Sequence, residues 1–353
     1  MRYTEAVNVL GIETSCDETG VAVVADGRRV LSNIVASQMA EHARFGGVVP
    51  EVASRRHVEN INPALDQALA VANLTFAGIH AVAVTNRPGL LGALLVGVSA
   101  AKALALALNV PLVGVHHIEA HLYANFLTHD DAAFPAVALV VSGGHTDLFH
   151  VRGHGDYVLL GRTRDDADGE AFDKCARLMG LGYPGGPAIE QAARNANSAH
   201  AAITLPRAWL PGTHDFSFSG LKTAVRRVVQ NQDASPPPQS SVPDLAWAFQ
   251  EAVVDVLVTK TLRAAREVNA PRVFLAGGVA ANTRLRERMA AACAEAGLPL
   301  FYPPADLCTD NGAMIAATGY FHLQAGRVDD LSLDTHPAEP LAARRPVPAA
   351  APS

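Results

Sequence analysis

Residues 8–37, NVLGIETSCDETGVAVVADGRRVLSNIVAS, decide the fold. Three runs within this stretch, NVLGIET, GVAVVA and RRVLSNIVAS, are dominated by β-branched and aliphatic residues, as strands are. Asp26-Gly27 lies between the second and third runs and is a strong signal for a two-residue hairpin turn. We therefore expect the chain to start as an antiparallel meander of three strands.

A second stretch, residues 136–153 (AVALVVSGGHTDLFHVRG), repeats this arrangement, because an apolar strand enters a turn of small and hydroxyl residues and a second strand runs back. Helical stretches alternate with short apolar strands in the rest of the chain. The pattern predicts an α/β protein with two related lobes, each a mixed sheet flanked by helices. We place the lobes at residues 1–134 and 135–337, followed by a low-complexity tail at 338–353.

The composition is that of a globular enzyme. Of the 353 residues, 49% are hydrophobic and 18% are charged, which excludes a disordered or collagen-like chain and suits about two domains. The formal charge of −6 gives no overall attraction to a polyanion, so a nucleic-acid partner needs a local basic patch or another subunit. Three arginine clusters are candidates, although each fits a solvated helix face equally well: Arg55-Arg56, Arg226-Arg227, and Arg284, Arg286 and Arg288.

Cysteine usage and hydropathy indicate the compartment. The four cysteines form no C-x-x-C pair, which favours reduced thiols over disulfides or a zinc ribbon. The first fifteen residues lack the features of a signal or transit peptide. The most apolar stretch lies between Arg87 and Lys102 and is interrupted by proline and glycine, so it is shorter than the roughly 20 residues that a membrane span needs. We expect a buried helix there and a cytoplasmic protein without a membrane partner.

The segment His117-Ile118-Glu119-Ala120-His121 places two imidazoles at i and i+4, about 6 Å apart on one helix face, where they can share a metal ion. With 14 histidines in the chain, an ordinary buried or solvated pair is the competing interpretation. A zincin peptidase is disfavoured, because that chemistry needs the glutamate directly after the first histidine. Asp310 precedes a predicted helix and is either the third ligand or a plain N-cap. Two histidines and one carboxylate leave open coordination positions and suit Fe²⁺, Zn²⁺ or Mn²⁺.

Two glycine turns, Val140–Gly144 and Gly277–Asn282, expose backbone N–H groups that suit anionic oxygens, although such segments are often only tight turns. Neither matches the P-loop pattern, so a P-loop NTPase is excluded. Asp173 is either a ribose or amide ligand or a surface charge. Glu190 is either a ribose ligand or an acid that compensates a helix dipole. No Ser-His-Asp order and no activated cysteine indicates a nucleophile.

Eight motifs in order, within residues 7–325, resemble one family, the tRNA N6-adenosine threonylcarbamoyltransferases, once described as O-sialoglycoprotein endopeptidases. The A-x-G-E-A-F-D-K form is similar to the bacterial branch. The motifs are GIETSCDETG (11–20), the signature from Lys102 to Leu122 that ends in H-x-x-A-H-L, VSGGHT (141–146), DDADGEAFDK (165–174), GYPGGP (182–187), FSFSGLKT (216–223), GGVAAN (277–282) and TDNGAM (309–314).

The resemblance implies an actin-like ATPase fold, with two lobes around a central cleft. It implies transfer of a threonylcarbamoyl group from threonylcarbamoyl-AMP to N6 of adenosine 37 in tRNAs that read codons starting with A. The implied metal ligands are His117, His121 and Asp310, holding Fe²⁺ first, with Zn²⁺ or Mn²⁺ as alternatives. The implied adenylate contacts are Val140, Val141, Ser142, Gly143, Gly144, Asp173, Gly186, Glu190 and Asn282. The implied partners are the tRNA anticodon stem-loop, a smaller actin-like paralogue and a small ATPase.

We expect catalysis by positioning and by polarisation of the acyl carbonyl at the metal. Glu13 is a candidate base or orienting group, and no catalytic acid or base is assigned. The nearest alternative is a related metal-dependent carbamoyltransferase that acts on a small acceptor. An ATP-binding scaffold would keep the glycine turns without needing metal ligands. The Pro/Ser loop at 231–243 suggests no function.

Overall fold

The computed structural model describes residues 6–196, 203–232 and 241–342. Within these residues the chain divides into two compact units. The first comprises the chain up to Ala133 together with Tyr302–Leu341, and the second comprises Phe134–Phe301. Residues 233–240 of the Pro/Ser loop, and the tail beyond Ala342, lie outside the described residues.

Strands and helices alternate along both units. The strands are β1 Asn8–Glu13, β2 Glu18–Ala25, β3 Arg29–Ser37, β4 Ala81–Arg87, β5 Leu112–His116, β6 Ala136–Val141, β7 Thr146–Gly153, β8 Asp156–Arg162, β9 Val273–Ala276 and β10 Leu300–Phe301. The α-helices are α1 Met39–Ala43, α2 Pro50–Ala72, α3 Leu91–Leu108, α4 His117–Tyr123, α5 Asp168–Leu178, α6 Gly185–Ala193, α7 Ser219–Gln232, α8 Val242–Glu267, α9 Thr283–Glu295, α10 Ala305–Cys308 and α11 Gly312–Gln324.

The first unit is built on a sheet in the order β3-β2-β1-β4-β5. β1, β2 and β3 form the predicted antiparallel meander, and Asp26-Gly27 makes its turn with positive φ at both residues (53° and 68°). Alternate residues of β1 serve opposite faces of the sheet, as strand geometry requires. Leu10 and Ile12 pack in the cluster that includes α2 and α3, whereas Val9 packs in the cluster that includes α11.

The ends of several helices follow from local chemistry. α2 starts with Pro50, whose fixed φ suits the first helical position, and ends at Asn73, which takes a left-handed φ of 54°. α8 starts with a capping box, in which Ser241 Oγ accepts from Asp244 N and the Asp244 carboxylate accepts from Ser241 N. These caps satisfy backbone groups that would otherwise lack partners.

α3, which was predicted to be a buried helix, is buried on one side only. Its inner side, with Ala93, Leu94 and Val98, is buried, but Leu91 and Leu106 on the outer side are 54% and 66% exposed. Among the described residues it is the one helix long and apolar enough, by length and composition, to cross a membrane, with 33% of it buried. A core helix of a globular protein passes the same test, so this is weak evidence for a span.

The second unit repeats the first. Its sheet has the order β10-β9-β6-β7-β8, in which β6, β7 and β8 form an antiparallel meander and β6, β9 and β10 run parallel. Read from the meander, the two sheets therefore have the same strand order and directions. The internal repeat that was predicted from two meanders, each with a turn of small and hydroxyl residues, is confirmed as a repeated topology.

The second predicted lobe boundary differs from the contact-defined units. The first predicted lobe ends within a residue of the first unit's break at Ala133. Tyr302–Leu341, however, returns to the first unit, because α11 packs on β1, β2 and β4. The start of the predicted tail contacts the first unit, since His116 Nε2 lies 3.0 Å from Glu339 O.

Candidate functional site

His117 and His121 lie on α4, which starts directly where β5 ends. All seven residues of this helix are buried, and the rings of the two histidines meet edge to face with centroids 4.6 Å apart. The two histidines therefore lie next to each other on one helix, as their i, i+4 spacing predicts. The pair is enclosed in the first unit rather than solvated.

Asp310 lies in the short connection between α10 and α11. It is not the N-cap, because Asn311 fills that position with its Oδ1 accepting from Met314 N at 3.0 Å. Gly312 fixes where this connection lies, because a Cβ there would fall 2.5 Å from Ala22 N in β2. With this connection held against the sheet, the Asp310 carboxylate faces the two histidines.

The three side chains form a donor set for one metal ion. His117 Nε2 and His121 Nε2 lie 3.2 Å apart, and each is 3.4 Å from Asp310 Oδ1. Metal–ligand bonds of about 2.1 Å that meet at about 90–109° produce donor separations of about 3.0–3.4 Å. The spacing of the three atoms therefore fits a common ion, and the described residues contain no other group of three or more such ligands.

Glu13, at the end of β1, orients the first histidine. Its Oε2 accepts from His117 Nδ1 at 3.0 Å and from Thr85 Oγ1 at 2.6 Å, and its side chain is fully buried. With Nδ1–H donated to Glu13, the lone pair of His117 Nε2 faces the other two ligands. A carboxylate behind a histidine is the usual second layer of a metal site, so these hydrogen bonds fit an orienting group better than a free base.

The electrostatics of the site favour a cation. Burial opposes protonation of His117, but the carboxylates of Asp310 and Glu13 overcome it and raise the pKa of the imidazole to about 9. The pKa of His121 is lowered, chiefly by burial. Burial and the carboxylates of Asp310 and Asp17 raise the pKa of Glu18 to about 10. A metal ion would take the place of the proton that this excess of acids attracts.

Glu119, which lies between the two histidines in the sequence, pairs with a residue of another helix. It is buried, and its Oε1 accepts from His322 Nε2 of α11 at 2.9 Å. This contact joins α4 to α11. A peptidase mechanism needs a glutamate that polarises water at the metal, and Glu119 does not serve that purpose.

In the second unit, the two predicted glycine turns lie against each other. Gly277 has a φ of +90°, and a Cβ on it would fall 2.3 Å from Val141 O, at the end of β6. Ser142 N donates to His145 O at 2.8 Å and closes the first turn, in which Gly143 and Gly144 are exposed. No atom lies within 4 Å of an added Cβ at either of these two glycines. The surroundings of these two exposed glycines therefore leave room for an anion beside the turn.

Helices α5 and α6 bring the predicted acids toward this turn. Gly169 N donates to Ser142 O at 3.2 Å, so the start of α5 docks on the first glycine turn. Asp173 lies one turn further along α5, and its Oδ1 accepts from Gly185 N at 2.7 Å, at the start of α6. Gly186 follows with open space beside it. Glu190 pairs with Arg194 at 3.0 Å.

Asn282 has a structural task in addition to any contact with a ligand. Its Oδ1 accepts from Leu285 N at 2.9 Å as the N-cap of α9, and its Nδ2 donates to Gln250 Oε1 at 2.9 Å. The residue is buried, 7% exposed, at the end of the second glycine turn. All nine predicted adenylate contacts thus lie on elements of the second unit that contact one another.

Asp168, the first residue of α5, was not among the site residues that the sequence predicted. Its side chain is fully buried, both carboxylate oxygens lack a hydrogen-bond partner among the described residues, and its backbone N donates to Thr146 Oγ1 at 2.8 Å. Burial raises its pKa to about 7. Within the acidic run 165–174, charge alone does not reveal which acid faces inward.

Comparison with known proteins identifies the family. A sequence model of TsaD, tRNA N6-adenosine threonylcarbamoyltransferase, matches residues 29–317. Proteins of that name are similar along nearly the whole chain. The enzyme of Dehalococcoides mccartyi strain BAV1 is 53% identical over 332 residues, covering 94% of this chain and 98% of its own. That of Symbiobacterium thermophilum is 57% identical (93% and 95%), and that of Bacillus subtilis strain 168 is 56% identical (90% and 91%).

Solved structures share the architecture at low identity. HypF from T. kodakarensis has a TM-score of 0.60 at 15% identity, with 91% of this chain and 48% of that chain covered. Component A of the (R)-2-hydroxyglutaryl-CoA dehydratase of Acidaminococcus fermentans has a TM-score of 0.51 at 11% identity (90% and 99%). The fold is the actin-like ATPase fold that the eight motifs implied. From its motifs, its duplicated sheets and its full-length relatives, the chain belongs to the tRNA N6-adenosine threonylcarbamoyltransferase family.

Proposed function

We propose that this protein transfers the threonylcarbamoyl group of threonylcarbamoyl-AMP to N6 of adenosine 37, in tRNAs that read codons starting with A. One observation carries the proposal. Relatives named for this transfer are 53–57% identical over at least 90% of both chains. The enclosed set of His117, His121 and Asp310 supports it, because acyl transfer can use a Lewis acid at the carbonyl.

The metal would be held by His117 and His121 through Nε2 and by Asp310 through its carboxylate, with Fe²⁺ as the first candidate and Zn²⁺ or Mn²⁺ as alternatives. When bound, a divalent ion at this site would supply Lewis acidity to oxygens of the donor. Glu13 keeps the His117 ring in register by accepting its Nδ1–H.

The second unit would hold the adenylate. Backbone N–H groups of Gly143 and Gly144 are exposed at the turn and would bind the phosphate. Asp173, Gly186, Glu190 and Asn282 would hold the nucleoside, together with Val140, Val141 and Ser142 beneath it. Two solved relatives support a nucleotide site on this fold, since HypF is known in a nucleotide-bound form and a 2-hydroxyisocaproyl-CoA dehydratase activator with bound ADPNP.

The transfer balances without a further reactant. A bond forms between adenosine N6 and the carbamoyl carbon, and the bond from that carbon to the phosphate oxygen breaks. The oxygen keeps the electron pair as AMP leaves, and one proton leaves N6. The chain's contribution is to align the two substrates and to stabilise charge on the departing phosphate at the glycine turn.

The setting that we propose for this reaction is the cytoplasm. The anticodon stem-loop presents the adenosine, and a smaller actin-like paralogue and a small ATPase support turnover. The four cysteines are free thiols, which suits a reducing compartment.

The test is nucleoside mass spectrometry of tRNA incubated with the protein, threonine, bicarbonate, ATP and the enzymes that make the adenylate. The native chain should form N6-threonylcarbamoyladenosine, and His117→Ala should lower the yield by at least 100-fold. His154→Ala is the matched control, because His154 is an exposed histidine of the second unit and should react as the native chain does.

Equal product from His117→Ala would remove the histidine from the mechanism. Product on a small acceptor, with none on tRNA, would instead favour the related carbamoyltransferase.

A further inference from the structure

A groove on the second unit, between α5 and α7, is lined almost entirely by basic and polar side chains. It has a volume of about 460 Å³. Its lining residues are Lys174, Arg177, Leu178, Lys222, Thr223, Arg226, Arg227 and Gln230. Five of these eight are cationic and none is acidic, on a chain whose formal charge is −6.

The cations form two rows that face each other. On α5, Arg177 follows Lys174 by three residues, and on α7, Arg226 follows Lys222 by four, so each pair shares a helix face about 6 Å apart. The two lysines meet acids at one end, because Lys174 Nζ lies 2.7 Å and Lys222 Nζ 3.8 Å from the Asp166 carboxylate, and Lys174 Nζ also lies 2.8 Å from Glu170. The two lysines therefore mark one end of the groove, and the arginines line the rest of it.

Two of the arginines have no acidic partner. Arg226 and Arg227 are exposed and form no ion pair with any residue that the structure describes. Like charges gathered along one face repel one another unless an anion neutralises them. The arrangement therefore favours a ligand with several negative charges at regular spacing.

The other arginine clusters named from the sequence are neutralised or isolated. Arg284 and Arg288 both pair with Glu251, and Arg286 donates to Ala280 O at 2.6 Å. In the remaining cluster, Arg56 pairs with Glu41 and Glu59. The arginines of α7, in contrast, border a groove together with cations of α5.

We propose that the groove between α5 and α7, which we call the α5–α7 groove, binds backbone phosphates of the acceptor tRNA. The inference rests on the proposed function for the identity of the acceptor. Guanidinium groups bind phosphate oxygens in bidentate fashion, and the Gln230 amide adds a neutral donor to the wall of the groove. The contact fixes the orientation of the RNA and carries no sequence information.

The test measures how salt affects binding of an unmodified, fluorescein-labelled transcript of a tRNA that reads a codon starting with A. Fluorescence anisotropy would give the Kd of the full chain between about 50 and 200 mM salt. Replacement of both arginines (Arg226→Gln, Arg227→Gln) should reduce the slope of log affinity against log salt by about 1–2. If binding at 1 M salt is unchanged, affinity at 0.1 M falls roughly 10- to 100-fold.

The matched control is Arg152→Gln. Arg152 is an arginine of the same unit that pairs with Asp156 at 2.6 Å, outside the groove, and its replacement should leave the slope unchanged. AMP binding by the double variant should equal that of the native chain, which shows that α5 and the glycine turns remain folded.

The outcomes separate this inference from the proposed function. Native binding with an unchanged slope in the double variant would overturn the groove and leave the reaction standing. A native chain that binds no tRNA would overturn both. If the double variant binds tRNA weakly, the result supports the groove. If the native chain then binds tRNA without modifying it, the result counts against the reaction.

Discussion

Asp168 shows how the surroundings of one residue change its chemistry. Its carboxylate is fully buried without a hydrogen-bond partner among the described residues, and burial raises its pKa from 3.8 to about 7. The folded state therefore favours the neutral acid, while the unfolded chain ionises near pH 4. Below pH 4 the carboxyl group is protonated in both states and does not lower the free energy of unfolding. As the pH rises from about 4 to about 7, the free energy of unfolding decreases, because only the unfolded chain releases the proton.

We predict that Asp168→Asn stabilises the protein at pH 8 by up to about 4 kcal/mol and has little effect near pH 4. Urea unfolding at the two pH values would measure the difference. Asp131→Asn, at an exposed acid of the first unit, should change neither value. An equal loss of stability with pH in native and Asp168→Asn protein would show that Asp168 is not the group that titrates.

Glu13 allows a second prediction at this scale. Glu13→Gln exchanges the carboxylate that accepts from His117 Nδ1 for an amide, so the ring loses its charge-assisted hydrogen bond. Metal affinity should fall by about 10- to 100-fold, as measured by competition with a chromogenic chelator. The control Glu59→Gln alters an exposed side chain of α2 and should bind metal normally. Unchanged affinity in Glu13→Gln would mean that the histidine is positioned by its other contacts.

The histidine pair can be predicted from the sequence more directly than the residues that surround it in the fold. An i, i+4 spacing depends only on helix geometry, so His117 and His121 could be predicted directly. For Asp310 the local sequence left a ligand and an N-cap as alternatives, because Asp and Asn cap helices about equally well and Asn311 is the next residue. The choice between them depends on β2, against which Gly312 packs, and such long-range contacts are not written in the local sequence.

At the scale of elements, the two glycine turns depend on each other. Two independent constraints require glycine at position 277. Its φ is +90°, and a Cβ there would lie 2.3 Å from Val141 O. Gly278, the next residue, has open space around an added Cβ. The sequence identified both turns as candidate anion sites, but their contact with each other emerges only when β6 and β9 pair in parallel.

We predict that Gly277→Ala destabilises the protein by about 2–4 kcal/mol and weakens AMP binding, because the added methyl group separates the two turns. Gly278→Ala should be nearly neutral in both respects. Thermal unfolding and isothermal titration with AMP would compare the two variants. If both behave alike, the contact between the turns does not organise the site.

Element boundaries show where sequence patterns are weakest. The run LPLFYP (298–303) is apolar enough for a longer strand, but only Leu300–Phe301 pairs with β9, at the edge of the sheet. The apolar sequence of α3 predicted a buried helix, whereas 33% of the helix is buried. In both cases hydrophobicity indicates the type of element, and neighbouring strands and helices decide its extent.

For the whole molecule, duplication explains most of what could be predicted. Two meanders with similar turns predicted two sheets of the same topology, and the strand orders agree. The return of Tyr302–Leu341 to the first unit was not apparent, because no local signal distinguishes α11 from the helices before it. This return brings Asp310 to the histidines. The candidate metal ligands therefore all belong to the first unit, and the candidate adenylate contacts belong to the second.

This division predicts separate footprints for the two ligands. In hydrogen exchange followed by mass spectrometry, Zn²⁺ as a redox-stable probe should protect peptides of α4 and the segment before α11. AMP should protect the glycine turns and the starts of α5 and α6. An AMP footprint absent from residues 140–190 would contradict the assignment of the adenylate site.

The central claim is transfer of the acyl group from an adenylate to a tRNA adenosine at the site of His117, His121 and Asp310. A single-turnover reaction with threonylcarbamoyl-AMP carrying ¹³C-threonine, offered to tRNA with adenosine or with guanosine at position 37, tests it most directly. We predict label on N6 of adenosine 37 in the first tRNA, none in the second, and none with Asp310→Ala. Label released as free threonine with both tRNAs, or equal transfer by Asp310→Ala, would contradict the account.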